Sequence, residues 1–175
     1  MTLDTQVRDQ VRHRAGFACE YCGVTETDTG GELTVDHFRP RAHDGVDHVD
    51  NLVYCCPRCN QYKADYWPTN LGAPALWNPR REPLDAHFLA LADGKFYPLT
   101  STGTFTLQRL RLNRPPLVAY RRRRQGLAEE SRFLAQYRDI VALLEQLQSQ
   151  YAALLEEYRD LLQNQRRLLR LLLDD

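Results

Sequence analysis

Apolar residues in the last third of the chain recur at Phe133, Tyr137, Ile140, Leu144, Leu147, Tyr151, Leu154, Tyr158, Leu161, Leu168 and Leu172. The steps alternate four and three, and Gln165 fills the one polar position in the stripe. Such a heptad pattern, held over about five repeats, predicts a long helix of coiled-coil type. A second row at Leu143, Leu155, Leu162 and Leu169 broadens the apolar face. A helix of this kind cannot bury its stripe alone. It must pack on its own domain, fold back as a hairpin, or pair with another subunit, and a homodimer is the preferred expectation. Tyr151 and Tyr158, large and polar-tipped, argue against a tight two-stranded zipper over the full length, so hairpin and antiparallel arrangements stay open.

Upstream, the pattern changes twice. Residues 1–66 open with "DTQVRDQVRHRAG", a predicted short helix capped by Asp4 and stopped by Gly16. Two β-like runs follow, "ELTVDHF" and "NLVYCC", and a helix is expected from Pro57 to about Tyr66, proline suiting its first turn. Residues 67–115 are rich in turns. "WPTNLGAPALWNPRREP" reads as a loop, "HFLALADGKFYPLT" as a hairpin with Asp93-Gly94 at the turn, and "TSTGTFTLQRLRLN" as a turn entering a short helix. Residues 116–175 then form the helical extension. The expected class is α+β, in three segments with those boundaries.

Formal net charge is zero, but unevenly distributed. Residues 1–80 carry 8 basic and 11 acidic side chains, residues 81–124 carry 9 and 3, and residues 125–175 carry 6 and 9. A polyanion would be drawn to the middle segment, whose basic residues are nearly all arginine and so suited to bidentate phosphate contacts. Arg121–Arg124 form its densest run. Consecutive residues point around a helix, so not all four can meet one nucleic-acid strand. The rival reading is a solvated helix face. The N-terminus lacks the apolar core of a signal peptide, and no run of about 18 apolar residues occurs, so a cytoplasmic protein without a membrane span is expected.

In a reducing compartment paired cysteines read as metal ligands or redox centres. Cys19 and Cys22 form one CxxC, and Cys56 and Cys59 another. Two such pairs complete a closed tetrahedral site for a structural Zn²⁺, replacing core that a small module lacks. A thioredoxin-like dithiol is the alternative, but it needs one CxxC beside a βαβ unit, and no such unit is visible. Cys55 is expected to be a small buried hydrophobe.

Between and beside these pairs lie Asp36, His37, Asn51 and Asn60. The oxygens of Asp36 and Asn60 are hard donors suited to Mg²⁺ or Mn²⁺, and an imidazole can take a proton from water near neutral pH. These are the parts needed to hydrolyse a phosphodiester. A positioned base supplies roughly 10²–10⁴ in rate, so the rest must come from charge stabilisation by a metal and from positioning. Arg39, Arg41 and Lys63 are candidate phosphate contacts, with solvated surface side chains the plainer alternative.

"VDHFRPR", "DNLVYCCPRCN" and "NQYK" resemble the HNH endonucleases, whose catalytic unit is a ββα-metal finger. With flanking CxxC pairs, Asp before His and Asn after the last Cys, the pattern is similar to the phage endonuclease VII subgroup. The resemblance covers Cys19–Lys63. It implies a DNA-cleaving hydrolase in which His37 is the general base, Asp36 and Asn60 hold the catalytic Mg²⁺ or Mn²⁺, and Asn51 pins the loop between the strands and orients His37. Asn60 stands where many members carry a final His. The competing functions are a non-catalytic zinc-dependent nucleic-acid-binding module and a coiled-coil assembly protein.

Overall fold

The computed structural model describes residues 3–70 and 72–173, and the side chains of residues 171–173, the expected heptad position Leu172 included, lie outside the described residues. Two compact units are present, one ending at Gln125 and one beginning at Gly126.

Helix α1 (Thr5–Arg14) starts where Asp4 accepts a hydrogen bond from the Gln6 amide at 3.3 Å, and its last turn carries Arg12, His13 and Arg14, which suit the negative end of the helix dipole. It buries Val11 completely. A tight turn bearing Cys19 and Cys22 leads into α2 (Glu26–Thr29), where Thr25 and Asp28 form a reciprocal capping box. Strands β1 (Thr34–His37) and β2 (Leu52–Cys55) pair antiparallel, with Thr34 opposite Cys55, Asp36 opposite Val53 and His37 opposite Leu52. All four β2 residues are buried. Both faces of that strand are therefore covered, and it reads as a continuous apolar run rather than an alternation.

Helix α3 (Pro57–Lys63) follows at once, with Cys56 as N-cap and proline in its first turn. It ends at Ala64, which adopts φ +50°. Strands β3 (Phe88–Ala90) and β4 (Phe96–Pro98) form the second hairpin. Its turn needs Gly94, which has φ +81° and where a Cβ would sit 2.6 Å from the Val118 carbonyl oxygen. Helix α4 (Ser101–Arg109) is capped by the Thr100 hydroxyl. The core joins these elements through aromatic contacts. Trp77, in the turn-rich strap, meets Tyr21 edge-on at 6.3 Å and Phe88 at 5.5 Å, and its backbone amide donates to the Thr106 hydroxyl at 2.7 Å.

Helix α5 (Pro115–Leu173) begins in the first unit and makes up the described part of the second. Beyond Gly126 its stripe stays open, with Phe133 68 % and Leu161 66 % exposed. No helix among the described residues is long and apolar enough to cross a membrane. The architecture is α+β: two small sheets, a four-cysteine cluster and a long C-terminal helix.

Candidate active site and metal centre

The sulfurs of Cys19, Cys22, Cys56 and Cys59 all lie within 4.8 Å of one another, and all four residues are buried. Zinc–thiolate bonds of about 2.3 Å in a tetrahedron require sulfurs about 3.8 Å apart, and Cys22 and Cys56 are separated by 3.8 Å. The donor set therefore fits a closed zinc site. The Cys59 amide donates to the Cys56 sulfur at 3.4 Å. Arg114 approaches both Cys56 and Cys59 at 3.9 Å. Four thiolates around a divalent ion carry a net charge of about −2, and the Arg114 guanidinium offsets part of it. Cys55 stands outside the cluster, against Thr34, and burial pushes its thiol up.

Strand alternation sends Asp36 and His37 in opposite directions. Asp36 shares a face with Thr34 and looks onto α3, where Asn60 and Lys63, three residues apart, share a helix face. The Asn60 amide donates to the Thr34 hydroxyl at 3.4 Å. The Lys63 ammonium lies 2.8 Å from Oδ2 of Asp36 and donates to the His37 carbonyl at 2.7 Å. The Asp36–Lys63 contact is an ion pair without hydrogen-bond alignment, so Oδ2 is buried and accepts no hydrogen bond among the described residues. The two oxygen carriers, Asp36 and Asn60, are thus neighbours across one strand–helix interface. Two oxygen donors of this kind suit a hard divalent cation, which would have to displace the Lys63 ammonium from Oδ2.

His37 turns instead toward the loop between the strands, its Nε2 lying 2.7 Å from Oδ1 of Asp47. Arg41 grips the same carboxylate in a fork, Nε to Oδ1 at 2.9 Å and Nη2 to Oδ2 at 2.6 Å. Arg41 first, then His37, bring the Asp47 carboxyl down to about 2. Asn51 holds the loop that delivers Asp47. Its Oδ1 accepts from the Arg39 amide at 2.8 Å, and its Nδ2 donates to the Arg39 and Val46 carbonyls, both at 3.0 Å. Gly45 lets the loop close, since a Cβ there would lie 1.8 Å from the Arg39 carbonyl oxygen. Asp47 and Arg114 were not visible as site residues in the sequence. Asp47 is one of three acids in its loop, with Asp44 and Asp50, and Arg114 follows Arg109 and Arg111, so no spacing singles either out.

Two expected phosphate contacts need correction. Lys63 is wholly buried and committed to Asp36 and the His37 carbonyl, so it faces no solvent. Arg121 donates to the Gly94 carbonyl at 2.5 Å and the Leu112 carbonyl at 2.8 Å, and its guanidinium lies 4.2 Å from the Phe96 ring centroid. It latches the start of α5 to the hairpin. Arg122, Arg123 and Arg124 remain exposed, with Arg123 3.6 Å from Asp28. Arg39 is exposed beside Trp67, 5.4 Å over its ring, at the rim of a cleft that Asn51 and Arg81 also line.

No curated protein matches the chain. A family model described as HNH endonuclease matches residues 19–65. That stretch takes in both CxxC pairs, β1, β2 and α3, the same elements that gather Asp36, His37, Asn51 and Asn60, and the chain accordingly carries an HNH endonuclease domain over residues 19–65.

Proposed function

We propose that this protein hydrolyses DNA phosphodiester bonds, with His37 as general base and with Asp36 and Asn60 as protein ligands for Mg²⁺ or Mn²⁺. The observation that carries the reading is the pairing of His37 with Asp47 at the end of a strand whose preceding residue, Asp36, faces α3. Asp47 accepts a hydrogen bond from Nε2–H and leaves Nδ1 as the basic nitrogen, the arrangement by which a carboxylate fixes an imidazole tautomer. Asn51 acts through the loop, holding the peptide before Asp47. A divalent ion bound at Asp36 and Asn60 would supply charge stabilisation at the phosphate and leaving oxygen.

Arg39 and Arg41 beside the site, with Arg122, Arg123 and Arg124 at the start of α5, support sequence-independent phosphate contacts. The CxxC pairs, with Asp36 before His37 and Asn60 after Cys59, support a place in the endonuclease VII subgroup. Reduced, clustered thiols suit a cytoplasmic setting. The open heptad stripe of α5 supports a homodimer.

One observation favours the rival reading of a non-catalytic nucleic-acid-binding module. Asp36 is already neutralised by the buried Lys63. Plasmid nicking with Mg²⁺ or Mn²⁺ separates the two. The wild type should nick, His37→Ala should be inactive, and Asp47→Asn should lose about 10–100-fold, the usual effect of removing a partner that orients a site histidine. Equal DNA binding by wild type and His37→Ala with no cutting by either establishes the binding module instead.

A further inference from the structure

Beyond Gly126, α5 is apolar on one flank of its stripe as well as along it. In heptad terms Tyr137, Leu144, Tyr151 and Tyr158 occupy a positions, and Ile140, Leu147, Leu154 and Leu161 occupy d positions. The flanking e positions are Leu127, Leu134, Val141, Leu155, Leu162 and Leu169, interrupted only by Gln148. The opposite g flank is mostly polar, with Glu129, Gln136, Gln150, Glu157 and Asn164 against Leu143 and Leu171. Leu134 and Leu127 are 57 % and 53 % exposed, as open as the stripe itself. This asymmetry distinguishes the two ways in which a second helix can lie on the face.

In a parallel pair each e position faces a g position of the other helix. Leu155 would then meet Gln150, Leu162 would meet Glu157, and Leu169 would meet Asn164. Each a residue would also face itself, stacking Tyr151 on Tyr151 and Tyr158 on Tyr158, where parallel dimers favour β-branched side chains. An antiparallel pair reverses both problems. There e faces e and g faces g, and each a residue meets a d residue. Large and small side chains then alternate across the seam, as close packing requires.

We propose that α5 pairs antiparallel with α5 of a second copy of this chain, centred on Ser149. In that register Tyr151 packs on Leu147, Tyr158 on Ile140, and Tyr137 on Leu161. The e flank pairs Leu134 with Leu162, Val141 with Leu155, and Leu127 with Leu169, while Gln148 meets Gln148. Sliding the helices by one heptad either way sets Gln148 against Val141 or Leu155, so the single polar e residue fixes the register. The proposal rests on the homodimer reading and is independent of the nuclease reading.

The test places p-benzoylphenylalanine, a photo-cross-linking residue, at Phe133 in the full-length protein, with light scattering for mass and peptide mapping after irradiation. The expected result is a dimer whose cross-links join position 133 to residues around 161–168. Along one helix those positions lie about 48 Å apart at a rise of about 1.5 Å per residue, so such a link must join two chains. The same group at Leu161 should link back to the region of Tyr137. Cross-links from 133 to the neighbourhood of 133 in a second copy establish a parallel pair and overturn the orientation alone. A monomeric mass overturns the homodimer as well.

Discussion

Lys63→Met removes the ammonium that neutralises Asp36 while keeping most of the aliphatic stem, so the cavity term is small. The lysine side chain has no exposure, and its nitrogen lies 2.8 Å from Asp36 and 2.7 Å from the His37 carbonyl oxygen. Breaking a buried ion pair from one side costs about 3–5 kcal/mol, because the remaining charge is left uncompensated. Asp36 keeps 20 % of its side-chain surface in water, which places the expected loss at the low end, about 3 kcal/mol. For a unit ending at Gln125 this lowers the melting midpoint by roughly 10 °C. Thermal melts followed by circular dichroism, with and without Mn²⁺, measure it. Mn²⁺ should raise the variant's midpoint more than the wild type's, since in the variant Asp36 has lost its only ion-pair partner among the described contacts. A drop below about 3 °C, or an equal response of both proteins to Mn²⁺, shows that Lys63 is not what neutralises Asp36 and refutes the reasoning.

Removing zinc should unfold the first unit rather than merely loosen it, because binding energy at such a site, on the order of 10 kcal/mol, is folding energy. One zinc per chain should be released to a chromogenic chelator together with loss of tertiary signal, and a chelated protein with an unchanged melt contradicts the structural role. Glu26 is one of the carboxylates that contribute to the acid limb of stability. Hydrogen bonds from Arg12 and then Tyr54 bring its carboxyl from 4.5 to about 2, so its contribution is complete above the unfolded value and lost as pH falls toward 2. Urea midpoints across about pH 5 to 2 should therefore fall more steeply in wild type than in Glu26→Gln, and parallel slopes count against the assignment.

Where a residue carries a local signal, the sequence and the structure agree closely. Asp4 caps α1, Pro57 opens α3, Asp93-Gly94 turns the second hairpin, and the CxxC spacing brings four sulfurs together. Failures fall where the deciding contact is tertiary. Helix α2 has only four residues, too few for any periodicity. The expected end of α3 near Tyr66 moves back to Lys63 because Ala64 leaves the helical region, its amide still donating to the Asn60 carbonyl at 2.9 Å. Lys63 looked like a surface side chain because the packed face of a short helix cannot be read from seven residues. Arg121 illustrates the same limit more mildly. Four successive arginines must point around the helix, so at least one had to face inward, but only the position of the hairpin decides which.

The cysteine frame and the proposed chemistry are connected through α3. Cys56 and Cys59 fix where that helix starts and how it is rotated, and Asn60 and Lys63 follow from that rotation one residue and one turn later. The β1–β2 register then sets Asp36 against Lys63 from the other side. Any divalent ion at Asp36 must compete with a buried ammonium. Two acceptors make that exchange feasible without stranding the lysine, since its nitrogen already touches the His37 carbonyl at 2.7 Å and the Ala64 carbonyl at 3.4 Å. A lysine is a compact point charge with rotatable donors, so it can keep both carbonyls while yielding the carboxylate. An arginine at the same position would hold Asp36 in a bidentate fork and close the site to a metal. On the proposed reading, then, Lys63 stabilises the metal-free domain, and the identity of its cation matters as much as its charge.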